Sequence, residues 1–214
     1  MNSINPSCRI GVFYDGNFLL HASNYYNYIH PERRRLSLNG LHRFIRHRVA
    51  EEAGCETVKC QISVAHYFRG RLNASEAAMR GNQLYNDRVF DDILMSEGVN
   101  THYLPLRNVQ GRREERGVDV WLALEAYELV LSGTIDIISD TDYTPLMRKI
   151  RAAGIPIMLL SWEFEYLTDD GIKMVTKTSH ELLSLATYPI AMHEEIERGL
   201  EQNNPVVRNL FVCN

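Results

Sequence analysis

Short apolar segments alternate with amphipathic segments along most of the chain, and this alternation constrains the fold more than any other feature. Buried strands are predicted for residues 9–14, 57–68, 99–104, 134–139 and 155–160. Apolar residues spaced by three and four predict helices for residues 38–53, 74–96, 118–131 and 146–153. This order predicts an α/β fold, a three-layer sandwich with a central parallel sheet and helices on both faces.

The rest of the chain is predicted to consist of connectors and a tail. Residues 106–117 form a polar connector, and Gly54 has the expected position just after the end of the helix 38–53. We assign residues 1–187 to one domain and residues 188–214 to a C-terminal helical tail, with a charged helix over 189–201. The apolar residues of that helix could pack on the domain itself, or could serve as a docking element or a homodimer contact.

Composition excludes several classes of protein. The 214 residues carry 23 Lys and Arg against 27 Asp and Glu, a net charge of -4, so binding of a polyanion requires a local basic patch. The longest apolar runs, such as residues 155–160, are far shorter than a membrane span, so we expect no membrane partner. The first residues lack the basic and apolar regions of a secretory signal, and we therefore expect a cytoplasmic protein.

The cysteines show no pattern of a zinc or dithiol redox site. Cys8, Cys55, Cys60 and Cys213 are scattered along the chain and form no CxxC pair. Because free cysteines are among the most buried residues, we expect reduced thiols inside the protein.

Acidic residues follow two of the predicted strands. Asp15 ends the first strand, and Asp140 and Asp142 follow the fourth, while Asp119 begins the helix that leads into the fourth strand. In a doubly wound sheet, sites form at the carboxyl ends of strands where the strand order reverses. Carboxylates crowded there raise each other's pKa unless a cation neutralises them, and Mg²⁺ is a hard cation that takes such ligands.

Each of these acids also has a simpler structural interpretation. Asp140 or Asp142 could cap the helix that starts near Thr144, and Asp119 has the favoured place of an acid in a first helical turn. Asp15 before Gly16 could form an Asx turn. These interpretations do not explain why all four acids are predicted at one edge of the sheet.

Three segments together resemble the NYN domain, the LabA-like branch of the PIN-like nuclease superfamily. They are VFYDGNF at residues 12–18, ERGVDVWLA at 115–123 and IISDTDYTPL at 137–146. Their order and spacing match over roughly residues 9–187. The resemblance implies a parallel sheet in the strand order 3-2-1-4-5, a site for Mg²⁺ or Mn²⁺, and hydrolysis of RNA phosphodiester bonds.

The resemblance also implies roles for individual residues. It places four acids in a catalytic metal site, with Asn17 close beside it: Asp15, Asp119, Asp140 and Asp142. The implied reaction is in-line attack on the phosphodiester by water that the cation activates. Asp119 is either a ligand or the group that orients the water, and Asn17 either bonds the phosphate or is structural. The number of metal ions is left open.

The third segment departs from the usual family pattern. Ser139 stands where Gly is common, and Thr141 and Tyr143 replace the later Ser and Phe, so the local turn could differ. Arg116 replaces the usual Lys before Gly-Val-Asp, which keeps the charge but loses a compact ammonium. The four acids are all present.

Arginines near the predicted edge form the expected contact surface for RNA, single-stranded or structured. Phosphates require cationic partners, and the candidates are Arg69, Arg71, Arg107, Arg112, Arg113 and Arg116. The alternative is that residues 112–116, interleaved with Glu114 and Glu115, form a solvated loop.

Two other functions compete with the nuclease interpretation. Residues 140–144 also match the DxDxT motif of haloacid-dehalogenase-like phosphatases. That motif belongs on a first strand and requires a downstream Lys and a second acidic pair, for which residues 169–171 are the sole acidic candidate in the part of the chain that follows. A non-catalytic RNA-binding or scaffold protein could keep the same fold and acids. Metal-dependent cleavage that is lost on Asp→Asn substitution separates an enzyme from a scaffold.

Overall fold

The computed structural model describes residues 7–110, 112–139, 143–167 and 173–212. Its strands are β1 (Cys8–Asp15), β2 (Cys60–Arg71), β3 (Asn100–Pro105), β4 (Arg107–Val109), β5 (Arg112–Glu114), β6 (Ile137–Ser139), β7 (Ile157–Ser161), β8 (Phe164–Leu167), β9 (Lys173–Thr176) and β10 (Tyr188–Ala191). Its helices are α1 (Gly16–Asn24), α2 (Leu38–Ala53), α3 (Ala74–Ala78), α4 (Gln83–Ser96), α5 (Val118–Leu131), α6 (Thr144–Ala152), α7 (His180–Leu185), α8 (Met192–Glu201) and α9 (Pro205–Arg208). A π-helical turn (Tyr25–Ile29) continues α1, and a 3-10 turn (Thr57–Lys59) precedes β2.

A six-stranded parallel sheet forms the centre of the molecule, in the order β10-β7-β6-β1-β2-β3. β1 lies between β6 and β2, with Val12 opposite Ser139 and Asp15 opposite Phe68. The carboxyl ends of these three strands therefore meet at one edge of the sheet. The predicted mixed α/β class with a parallel sheet is confirmed.

Both faces of the sheet are covered by helices, because the side chains of β1 are apolar on both sides. Ile10, Val12 and Tyr14 pack with α1, α2, α4, α8 and α9 on one face. Phe13 points to the opposite face, where it packs with residues of α5, α6 and α7. Alternate side chains of a strand point to opposite faces, so a strand that is apolar at every position needs cover on both.

Two predicted segments differ from the observed structure. The predicted helix 74–96 is divided into α3 and α4 because Gly81 adopts a left-handed conformation with φ +58°. The predicted connector 106–117 contains an antiparallel hairpin of β4 and β5, and a second hairpin pairs β8 with β9.

The last described part of the chain packs against the same core. Residues 189–191, predicted as helical, belong to β10 at the edge of the sheet, and α8 begins only at Met192. Met192 and Ile196 of α8 are fully buried in the core. Gly199 of α8 approaches Val207 of α9 so closely that a Cβ atom would overlap it. None of the described helices combines the length and apolar character that crossing a membrane requires.

An ion pair joins the amino-terminal ends of β1 and β6, and its contribution to stability should depend on pH. The Arg9 guanidinium donates to both carboxylate oxygens of Asp136, at 2.8 and 3.1 Å, and these hydrogen bonds hold the pKa of Asp136 below its ordinary value. A lowered folded-state pKa stabilises the protein above the ordinary pKa of Asp and ceases to do so as the pH falls through the lowered value. We expect Asp136→Asn to lower the urea midpoint slightly at neutral pH and not in acid. An equal decrease at both pH values would contradict this.

Candidate active site

Asp15 lies at the carboxyl end of β1 and caps helix α1. Its Oδ1 accepts the backbone N–H groups of Asn17, at 2.9 Å, and Phe18, at 3.1 Å. Its Oδ2 accepts the hydroxyl of Tyr143 at 3.2 Å. The side chain is half-buried. The Asx-type interpretation of Asp15 therefore holds, and it leaves the second oxygen directed toward the residues that follow β6.

Glu115 is a second carboxylate in this region, and the sequence did not single it out. Its Oε2 accepts the backbone N–H of Gly70 at 2.6 Å and the Asn17 side-chain amide at 2.9 Å. Burial raises the pKa of Glu115, and the negative charge of Asp15 raises it further. Asn17 therefore links two carboxylates, through its backbone to Asp15 and through its side chain to Glu115.

Two glycines allow this arrangement. Gly117 precedes α5 with φ +82°, a conformation that L side chains rarely adopt, and it turns the chain from Glu115 into the helix. A Cβ atom on Gly70 would lie 2.5 Å from Leu106 Cδ2 and 2.8 Å from Glu115 Oε2, so one or both of these side chains would have to shift away from β2. The position of Glu115 thus depends on contacts between distant parts of the chain.

A methyl group at Gly70 should displace the Glu115 and Leu106 side chains. For the RNA cleavage that the family resemblance implies, we expect Gly70→Ala to lower the rate by roughly 10²-fold, the scale of loss from an ångström-sized displacement in an active site. Thermal unfolding of the variant separates this loss from general destabilisation. Glu115→Gln, which retains an acceptor for both hydrogen bonds, serves as the control for the charge. A wild-type cleavage rate in a folded Gly70→Ala protein would contradict a role for Glu115.

The other three predicted acids are differently placed. Asp119 lies in the first turn of α5 and is exposed, and the helix is fixed to the sheet by buried Val118 and Leu122. Asp140 and Asp142 lie outside the described residues. Within the described part of the chain, no group of three or more His, Cys, Asp or Glu side chains could hold a metal ion.

The described donors nevertheless suit a hard divalent cation. Asp15 and Glu115 supply carboxylate oxygens, and Asn17 carries an amide oxygen, which are ligand types that Mg²⁺ and Mn²⁺ take. The pKa of Glu115 is raised mainly by burial, and the negative charge of Asp15 adds to this rise. A cation between these groups would offset the charge of both carboxylates, so the residues present fit a metal of this class.

Arg69 and Arg71 lie at the end of β2, in different surroundings. Arg69 is half-buried near Glu115, and its Nε has no hydrogen-bond partner among the described residues. Arg71 forms an ion pair with Asp91 at 2.9 Å, and its guanidinium lies 4.6 Å from the centre of the Tyr103 ring. The charge of Arg71 is therefore largely neutralised within the fold. Both arginines line a cleft of about 140 Å³ at the ends of β2 and β3.

Three further arginines lie in or just after the β4–β5 hairpin: Arg107 is in β4, Arg113 is in β5, and Arg116 follows β5. Arg107 is exposed and lies opposite Glu114 in the hairpin, while Arg116 donates to Glu114 at 3.1 Å. Arg113 forms an ion pair with Glu76. Acidic partners thus accompany Arg107, Arg113 and Arg116, which agrees in part with the solvated-loop alternative.

Comparison with known proteins identifies the family of this chain. The profile of the NYN domain matches residues 9–191, well over half of the 214 residues, from β1 to the last residue of β10. The matched range contains Asp15, Glu115 and the segment with Asp140 and Asp142. A search of curated proteins found no match. The predicted resemblance is confirmed, and the chain belongs to the NYN domain family.

Proposed function

We propose that this protein is a divalent-metal-dependent ribonuclease that hydrolyses phosphodiester bonds at the carboxyl edge of its sheet. NYN domains are a PIN-like nuclease family. The observation that carries the proposal is the linked pair of carboxylates, Asp15 and Glu115, held by Asn17 at this edge. The arrangement β3-β2-β1-β6-β7 within the sheet supports the PIN-like strand order that the resemblance implies.

The proposed metal site consists of four predicted acids, with Glu115 added from the geometry. Asp140 and Asp142 follow β6, whose last residue Ser139 pairs with β1, and Asp119 begins the adjacent helix α5. A bound Mg²⁺ or Mn²⁺ would supply a Lewis acid, and would lower the pKa of water.

The chain's own residues orient these groups. Tyr143 donates its hydroxyl to Asp15 Oδ2 and so fixes the direction of that carboxylate. Asn17 donates to Glu115, which makes it a positioning residue in the described arrangement. Its exposed position beside Asp15 also supports the predicted contact with the substrate phosphate.

The proposed RNA contacts differ in how available their charges are. Arg69 is the best placed, because it lines the cleft at the end of β2 and lies near Glu115. Arg107 and Arg116 are exposed and are proposed to contact the RNA backbone more peripherally. Arg71 is proposed to shape the cleft while paired with Asp91.

The test is cleavage of single-stranded, duplex and structured RNA with Mg²⁺ or Mn²⁺, with an EDTA control. We compare wild type with Asp140→Asn and with Asp92→Asn, an exposed acid on α4 that serves as the matched control. We expect cleavage that requires the metal, persists in Asp92→Asn and is lost in Asp140→Asn.

The same experiment tests the scaffold alternative. If the protein binds RNA but does not cut it, with or without metal, it is a non-catalytic RNA-binding protein and not a nuclease. If the protein binds neither RNA nor metal, the four acids have only a structural role as helix caps.

A further inference from the structure

Three cysteines come together at the amino-terminal edge of the sheet, opposite the candidate active site. Cys8 begins β1 and Cys60 begins β2, and the two residues are paired in register. Cys55 lies in the turn between α2 and β2, with its Sγ 3.3 Å from Cys60 Sγ. The Cys8 thiol lies close enough to Cys60 to raise the pKa of the Cys60 thiol.

The backbone holds Cys55 and Cys60 in place independently of their sulfur contact. α2 ends at Gly54, in a left-handed conformation with φ +62°, and the Cys55 N–H donates to the Ala50 carbonyl at 2.9 Å. The Arg46 Nε donates to the Cys60 carbonyl at 2.8 Å. The two sulfur atoms are therefore brought together by a fixed turn between a helix and a strand.

We propose that Cys55 and Cys60 form a redox modification site that a hydroperoxide converts to a disulfide. In the first step the Cys55 thiol loses its proton, the thiolate attacks a peroxide oxygen, and the O–O bond breaks. Cys55 becomes a sulfenic acid, and the leaving hydroxide takes the proton as water. In the second step Cys60 Sγ attacks Cys55 Sγ, the S–S bond forms, the S–O bond breaks, and hydroxide leaves with the Cys60 proton as water. In total, two thiols and one H₂O₂ give one disulfide and two waters.

Exposure and burial set the order of these steps. Cys60 is 0% exposed, whereas Cys55 is half-buried, so the peroxide reaches Cys55 first. Burial and, after it, the neighbouring thiols raise the pKa of Cys60 to about 12, so Cys60 remains protonated and unreactive toward free peroxide. Its contact with Cys55 makes it the resolving thiol.

Tryptic digestion distinguishes the possible disulfides because Lys59 separates the two cysteines. We treat the full chain carrying Cys213→Ser with one equivalent of H₂O₂, block free thiols with N-ethylmaleimide, digest, and analyse the peptides by mass spectrometry. We expect residues 49–59 joined to residues 60–69 in most molecules. The linked product should be independent of protein concentration and should disappear on reduction.

Substitution of single cysteines tests whether the disulfide joins Cys55 to Cys60. Cys8→Ser should retain the linked product, and Cys55→Ser should abolish it. Because Cys55 is only half-buried, Cys55→Ser is preferred to substitution of the buried Cys60, and circular dichroism confirms that each variant is folded. A product that joins residues 1–9 to 60–69, links between molecules, or oxidation of Cys55 without a disulfide would overturn the proposal.

Discussion

Asp15→Asn should slow metal-dependent RNA cleavage by roughly 10³-fold, which corresponds to about 4 kcal/mol of transition-state stabilisation. Asparagine keeps an oxygen that can accept the N–H groups of Asn17 and Phe18, and it is as good a helix cap as aspartate. The substitution removes the negative charge that faces Tyr143 and the proposed cation. The effect should therefore appear in the single-turnover rate at saturating Mg²⁺ and not in thermal stability.

A second substitution at the same position separates charge from capping. Asp15→Ala removes both the negative charge and the helix cap. We expect it to slow cleavage as much as Asp15→Asn does and, in addition, to reduce the free energy of unfolding by about 1 kcal/mol. Mg²⁺ should raise the melting temperature of wild type more than that of Asp15→Asn, because the cation stabilises only a folded site that binds it. If Asp15→Asn cleaves RNA at the wild-type rate, Asp15 has no role in catalysis.

Phe211→Ala should reduce the free energy of unfolding by about 3 to 5 kcal/mol, the range for deleting a large buried aromatic side chain. Phe211 is only 2% exposed and packs edge-to-face on Tyr26, with ring centres 5.5 Å apart. It also forms an isolated β-bridge with Leu36. The expected loss is a large fraction of the total stability of an ordinary domain, and urea denaturation measures it.

The neighbouring residue provides the control for this prediction. Val212 is 49% exposed, so Val212→Ala should change stability by less than about 0.5 kcal/mol. Equal urea midpoints for wild type and Phe211→Ala would mean that the last turn of the chain does not stabilise the core, as expected for the separate tail over residues 188–214.

Elements with a strong local pattern could be predicted from the sequence. Helices α2 and α5 begin and end at the predicted residues, because apolar spacing and Gly54 define them locally. The strand before Asp15 was also predicted, since residues 10–14 are apolar and are buried on both faces. β10 was missed because its four residues have no alternating pattern, and it forms only by pairing with β7.

The candidate site was predictable only where motif residues follow strands. Asp15 is at the predicted carboxyl end of β1, and the NYN family was identified from three short segments. Glu115 was missed because its site contacts are with Asn17 and Gly70, which are 98 and 45 residues away in sequence. The signal that could have indicated it is its place in the ERGVD segment. The roles of Asp140 and Asp142 stay predictions.

β1 extends from one functional edge of the molecule to the other. Cys8 and Asp15 are its first and last residues, and seven steps of about 3.3 Å place them roughly 23 Å apart along a strand whose residues 10–14 are buried. In a protein carrying Cys55→Ser and Cys213→Ser, a fluorophore attached to the half-buried Cys8 would therefore lie at the edge opposite the proposed RNA site. Such a label would report on RNA binding without occupying that site.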